Sequence, residues 1–140
     1  MAEFILVEHK ALKRGLHWDL RFQIPNSENW ASFAMNEMPP IEPGKRIYMP
    51  RTTDHSREQA LYVGKIPEGE YGAGTLKKID GGKCEILKYS NAHIVVNFKG
   101  KKLNGIYHFI NTATFGRNRN YSKKLYVFFK GKIKEENPSS

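Results

Sequence analysis

The segment richest in chemistry is His17-Trp18-Asp19-Leu20-Arg21-Phe22-Gln23-Ile24. Polar and apolar residues alternate along it with the period of a β-strand. His17, Asp19, Arg21 and Gln23 therefore share one face, and Trp18, Leu20, Phe22 and Ile24 take the other, which is wholly apolar and must meet a core. Same-face neighbours on a strand stand about 6.6 Å apart, and at that spacing an imidazole and a carboxylate can lean toward one cation. This donor pair suits manganese, iron or zinc. Arg21, one step further on, is placed to grip an anion held by that cation, because a guanidinium offers paired donors. Taken alone, the octapeptide reads more readily as an amphipathic surface strand with a His-Asp-Arg ladder, and a metal site needs support from elsewhere in the chain.

The elements that must position these residues are short. Alternating apolar stretches predict strands over residues 4–8, 17–24, 30–34, 47–51, 74–79, 83–89, 93–99, 105–110 and 124–130. Asp80-Gly81-Gly82 reads as a hairpin turn, as does the stretch from Lys99 to Gly105. Pro39, Pro40 and Pro43 mark a loop. A short helix is expected around residues 56–61, with Asp54 as its cap. So many short strands in 140 residues predict a mainly β fold, a compact single-domain β-barrel with short flanking helices. A barrel is favoured over a sandwich because closure removes exposed edges. The single domain spans residues 1–140, with a core over about 4–131 and a flexible polar tail over 135–140.

Composition narrows the partners. Lys and Arg number 23 against 14 Asp and Glu, a formal charge of +9, which favours a polyanion such as nucleic acid or an anionic membrane surface. No apolar run approaches the roughly 20 residues of a membrane span. The N-terminal stretch, which begins Met1-Ala2-Glu3-Phe4, lacks a basic n-region, so a secretory signal is not expected. Cys84 is the single cysteine, which excludes an internal disulfide and a thiolate cluster and fits a reducing, cytoplasmic setting. Basic residues cluster at Lys10, Lys13 and Arg14, at Lys77 and Lys78, at Lys101 and Lys102, and at Arg117, Arg119, Lys123 and Lys124, with Phe115 and Tyr121 available for stacking.

Four ordered motifs carry a resemblance. Phe4-Ile5-Leu6-Val7-Glu8-His9, His17-Trp18-Asp19-Leu20-Arg21, Asp54-His55 and Ile66-Pro67-Glu68-Gly69-Glu70-Tyr71-Gly72-Ala73-Gly74 follow one another in the chain. In this the sequence resembles the 3′-phosphoesterase domain of DNA ligase D, which also occurs free-standing, over roughly residues 4–131. The resemblance implies a β-barrel with its active site in a surface cleft. It also implies a manganese-dependent enzyme (other divalent transition metals being admissible) that removes a 3′-phosphate or a 3′-terminal ribonucleoside from DNA or RNA–DNA ends. Carried over by position, His9, His17 and Asp19 are the expected metal ligands, and Arg21 and His55 the catalytic contacts to phosphate. An intracellular, nucleoid-associated protein follows from the same likeness. The chain holds no nucleotidyltransferase or polymerase segment, so a separate ligase or polymerase acting in trans is expected. The alternatives are an end-binding module of the same fold with weakened catalysis, and an RNA-end phosphoesterase.

The sequence departs from the family pattern in places. Seven residues separate His9 from His17, two more than usual, and the extra pair is expected to bulge in the connection without moving either strand. Gln59 stands where the family carries a tyrosine; it can still donate to a phosphate oxygen. The stretch before Asp54-His55 is one residue longer, so Arg46 or Arg51 is expected to supply a further phosphate-binding arginine. Asn36 replaces a frequent lysine. No helical pattern follows residues 67–74, which disfavours a P-loop, and the glycines there read as a turn against the site's rim, with Glu68 or Glu70 as lesser metal or ribose candidates. His93 is expected to face solvent and His108 to be structural.

Overall fold

The strands are antiparallel and each is joined to the next by register pairs that keep one face inward. In the computed structural model, residues 1–115 and 124–132 are described. The expectations for Arg117, Arg119, Tyr121 and Lys123, and for the 135–140 tail, lie outside the described residues. The chain runs β1 (Ala2–Ala11), β2 (Gly15–Gln23), β3 (Trp30–Met35), β4 (Arg46–His55), α1 (Arg57–Leu61), β5 (Gly64–Ile66), β6 (Gly74–Tyr89), β7 (His93–Lys99), β8 (Asn104–Asn111) and β9 (Leu125–Lys130). Eight strands close in the order β1-β2-β3-β4-β9-β8-β7-β6, with β6 returning to β1, and β5 adds to the outer side of β6. This is the expected β-barrel.

Inward side chains fill the barrel. Leu20 and Phe22 of β2 meet Phe33, Phe98, Phe109 and Phe128 in one core, with Trp18 and Ile24 packed against it, so the apolar face of the octapeptide points where its pattern requires. Eight strands leave an interior that side chains alone can occupy, and the aromatics do so in tilted and edge contacts such as Phe109–Phe128, with centroids 4.7 Å apart. The Tyr107 hydroxyl donates to the Pro40 carbonyl at 2.6 Å and ties the proline loop to the core.

Two expectations are corrected. Asp80-Gly81-Gly82 does not reverse the chain: β6 is one strand of 16 residues, kinked where its register with β1 slips between Leu6 and Val7. The reason is Asp80. Its buried carboxylate accepts from the N–H groups of Gly81, Lys101, Lys102 and Leu103 at 2.8–3.0 Å, so it closes the neighbouring turn instead of making its own. The helix cap is Ser56 rather than Asp54. Ser56 and Gln59 form a capping box, while Asp54 still belongs to β4 and pairs with Arg51.

The outer face of β1 is also buried. Ile5 and Val7 form a second cluster with Trp30, Ala60 and Leu76, roofed by Leu61 and Ile66. A five-residue helix does not persist alone; its capping box and the burial of Ala60 keep α1 against the barrel wall. That wall carries the site.

Candidate metal centre

His9 continues the outward row Ile5–Val7 of β1, and β2 places Arg21, Asp19 and His17 directly opposite those three residues. His9, His17, Asp19 and Arg21 are only 4–6% exposed, so this is no solvated ladder. The expected bulge between the histidines is absent: Lys10 pairs with Leu16 and Ala11 with Gly15, and the added residues lengthen the hairpin.

Asp19 lies between the two rings. Its Oδ2 is 3.4 Å from His9 Nδ1 and its Oδ1 is 3.4 Å from His17 Nε2. The far nitrogens face backbone carbonyls, His9 Nε2 toward Gly72 at 2.7 Å and His17 Nδ1 toward Gly15 at 3.2 Å. A carbonyl only accepts, so each far nitrogen carries the proton and each near nitrogen aims a lone pair at the carboxylate. Lone pairs facing a carboxylate need a positive charge among them, either a proton or a shared cation. His9 Nδ1, buried without a hydrogen-bond partner among the described residues, states the same requirement. Donors at about 2.1 Å from one cation, at tetrahedral angles, stand roughly 3.4 Å apart. The three ligand atoms here all fall within 4.8 Å of one another, and no other such group of three occurs among the described residues. The donor set therefore fits a divalent ion.

The Asp19 carboxylate, 3.4 Å from Nδ1, raises the His9 pKa, against the opposing effect of burial. Burial favours neutral Asp19, but the adjoining His17 and His9 rings and the Arg21 charge outweigh it and hold the carboxyl well below the usual range.

Arg21 is fixed by α1. Its Nη1 donates to the carbonyls of Ala60 at 3.1 Å and Gln59 at 3.3 Å, and Nη2 to Asp19 at 3.3 Å. Its buried Nε–H has no acceptor among the described residues. His55, opposite Trp30 at the end of β4, has a buried Nδ1 in the same condition; burial, then the Arg21 charge, lowers its pKa. Both residues line a cleft of about 730 Å³ together with the three candidate ligands, Gln59, Lys13, Arg14 and Tyr71. The cleft thus sets a guanidinium and an imidazole beside the candidate ligands, groups suited to an anion's oxygens.

The remaining sequence candidates lie elsewhere or differ. Gln59 accepts the Ser56 N–H through Oε1, which leaves its amide N–H₂ to donate. Arg51 donates to the Tyr89 hydroxyl at 2.8 Å and to Asp54, and lines a separate cavity of about 690 Å³. Arg46 lies over the Phe129 ring, and neither arginine lines the main cleft. Glu70 lines the cleft and Glu68 does not. His93 is not simply solvent-facing: it is half-buried and its Nε2 lies 2.9 Å from His108 Nδ1. Burial pushes the Cys84 thiol up to about 12, which removes it as a nucleophile. Residues 67–73 form a turn at the rim between β5 and β6, as the glycines imply. Gly74 has φ +143°, and a Cβ there would lie 2.0 Å from the Lys10 carbonyl. Sequence reading missed the Gly15 and Gly72 carbonyls, which no side-chain motif reveals, and Ser32, Thr52 and Thr53 on the cleft wall.

A closed barrel bearing a candidate His-His-Asp cation site on its outer wall, with an arginine held beside it, defines the class: a β-barrel with a candidate metal centre in a surface cleft. Residues 7–111 match the family model described as the DNA Ligase D 3'-phosphoesterase domain, and the chain belongs to this family. Similar proteins include the multifunctional non-homologous end joining protein LigD of Mycolicibacterium smegmatis, 33% identical over 127 residues, covering 83% of this chain and 16% of that protein. The non-homologous end joining DNA repair protein LigD of Mycobacterium tuberculosis is 31% identical over 113 residues, covering 78% of this chain and 14% of its own. LigD of Pseudomonas aeruginosa is 27% identical over 122 residues, 84% of this chain and 14% of that one. The chain thus spans 14–16% of the length of these relatives. No described helix is long and apolar enough to cross a membrane.

Proposed function

We propose that this chain is a manganese-dependent phosphoesterase that processes 3′ ends, removing a 3′-phosphate or a 3′-terminal ribonucleoside from DNA or RNA–DNA strands during intracellular DNA repair. One observation carries the reading: two imidazoles, each locked by a backbone carbonyl, turn their lone pairs onto one carboxylate beside an arginine. Family membership supports the same conclusion, as does the charge of +9.

His9, His17 and Asp19 would hold a divalent cation, which would supply a Lewis acid for a phosphoryl oxygen. Arg21, held by the α1 carbonyls beside the candidate ligands, is the charged group for a second oxygen, and its fixed position limits reorganisation as charge builds. The lowered pKa of His55 favours the neutral ring, which can donate a hydrogen bond to the phosphate; to protonate the departing oxygen it must first take up a proton itself. Gln59 adds an amide donor from the first turn of α1, and Lys13 and Arg14 give the cleft mouth a positive lining for the strand. A ligase or polymerase acting in trans belongs to this reading as the user of the resulting 3′-hydroxyl.

The test is manganese titration of the pure protein followed by release of phosphate or nucleoside from end-labelled primers. Manganese-dependent release supports the proposal. Tight manganese binding with no release from either primer would replace it with the end-binding module.

A further inference from the structure

Tyr71 is 100% exposed, yet the turn that carries it is pinned on both sides of it. The Gly72 carbonyl takes the His9 N–H, the Ala73 carbonyl takes the Leu12 N–H at 2.8 Å, and Ala73 N–H closes back on Glu70 at 3.1 Å. An aromatic side chain left fully exposed on a fixed turn, one residue from the carbonyl that faces a candidate metal ligand, is apolar surface that no described residue covers. The ring lines the main cleft. Leu12, 64% exposed in the β1–β2 turn, lines it too, with Lys13 and Arg14 alongside. At about 730 Å³ the cleft matches pockets that hold whole small molecules and far exceeds the needs of one phosphate group.

We infer that Tyr71, flanked by Leu12, is a stacking platform for the terminal nucleobase of the bound strand, forming a base subsite beside the cation site. The inference rests on the proposed action at strand ends and narrows it to ends that carry a base. Every base presents a π-face, so the platform selects for the presence of a base and tolerates its identity.

The experiment measures binding of 5′-labelled oligonucleotides by anisotropy without divalent ions, so that no bond is broken. One strand ends in a normal nucleoside and its partner ends in an abasic sugar. The unmodified protein is expected to prefer the base-bearing end by about tenfold. Y71A is expected to erase that preference, and Y71F to restore it. Equal affinity for both ends in the unmodified protein overturns the inference. So does a Y71A protein that keeps the preference, or one in which both affinities fall in proportion, since the ring would then only prop the loop. Because this assay needs no turnover, it separates the two claims: base preference without manganese-dependent release sinks the proposed function alone, and release without base preference sinks the platform alone.

Discussion

His9 and His17 are direct cross-strand partners, their ring centroids 4.6 Å apart, although seven residues separate them in the chain. A hairpin that gains two residues can give one to each arm, which leaves the pairing above it untouched. The longer connection therefore extends the ladder through Lys10–Leu16 and Ala11–Gly15 and keeps both rings on the outer face with Asp19. Length variation at this turn and preservation of the cation site are compatible for that geometric reason.

Removing a ligand should remove metal binding without unfolding the barrel, because the site lies outside the main core. H17A and D19A are each expected to abolish manganese-dependent turnover. They should also lose the rise in melting temperature that saturating manganese gives the unmodified protein, worth about 2.7 kcal/mol at a hundred times Kd. Calorimetric titration and thermal melts check this, with far-ultraviolet dichroism confirming the fold. Near-normal activity in either variant refutes the assignment.

Arg21 should not tolerate lysine. Its guanidinium bridges two α1 carbonyls and Asp19 at once, a division that a single ammonium cannot make. R21K is expected to lower kcat by about a hundredfold, in line with loss of a preorganised oxyanion donor. Manganese affinity should change far less. Steady-state kinetics beside a metal titration test the separation.

Asp80 predicts an acid-sensitive turn. Burial raises its pKa, but the N–H groups of Leu103, Lys101, Lys102 and Gly81 outweigh this and bring it below the ordinary 3.8. A carboxyl whose folded pKa is depressed contributes stability above its unfolded pKa and loses it as pH falls through the folded value. D80N is therefore expected to cost about 2–3 kcal/mol at pH 7. The gap from the unmodified protein should narrow as pH drops below 3.8. Urea denaturation across roughly pH 2.5–7 reads this directly.

Binding to strands should weaken steeply with salt, since phosphate neutralisation releases counterions. Replacing Lys13 and Arg14 together by alanine should flatten the log–log slope by about one unit for each phosphate that is no longer neutralised. A salt-independent affinity in the unmodified protein would contradict an electrostatic track.

Local pattern determined a good deal. Period-two alternation located most of the strands and put His17, Asp19 and Arg21 on one face, because side-chain direction along a strand depends only on parity. The ordered motifs pointed to the family and to His9. Parity says nothing about which strand lies alongside, or about what covers an outward face. The β1–β2 register set His9 opposite His17, and only the tertiary fold laid α1 over that face so that its carbonyls hold Arg21 and brought residues 67–73 round to place the Gly72 carbonyl on the His9 ring. The Asp80 reading failed for the same reason. An Asp-Gly-Gly triplet suggests a turn by local preference, whereas four N–H donors, three of them from a turn about twenty residues away, decide where that carboxylate goes. Long-range hydrogen bonds of this kind are made by backbone atoms that every residue shares, and so they leave no mark in the sequence.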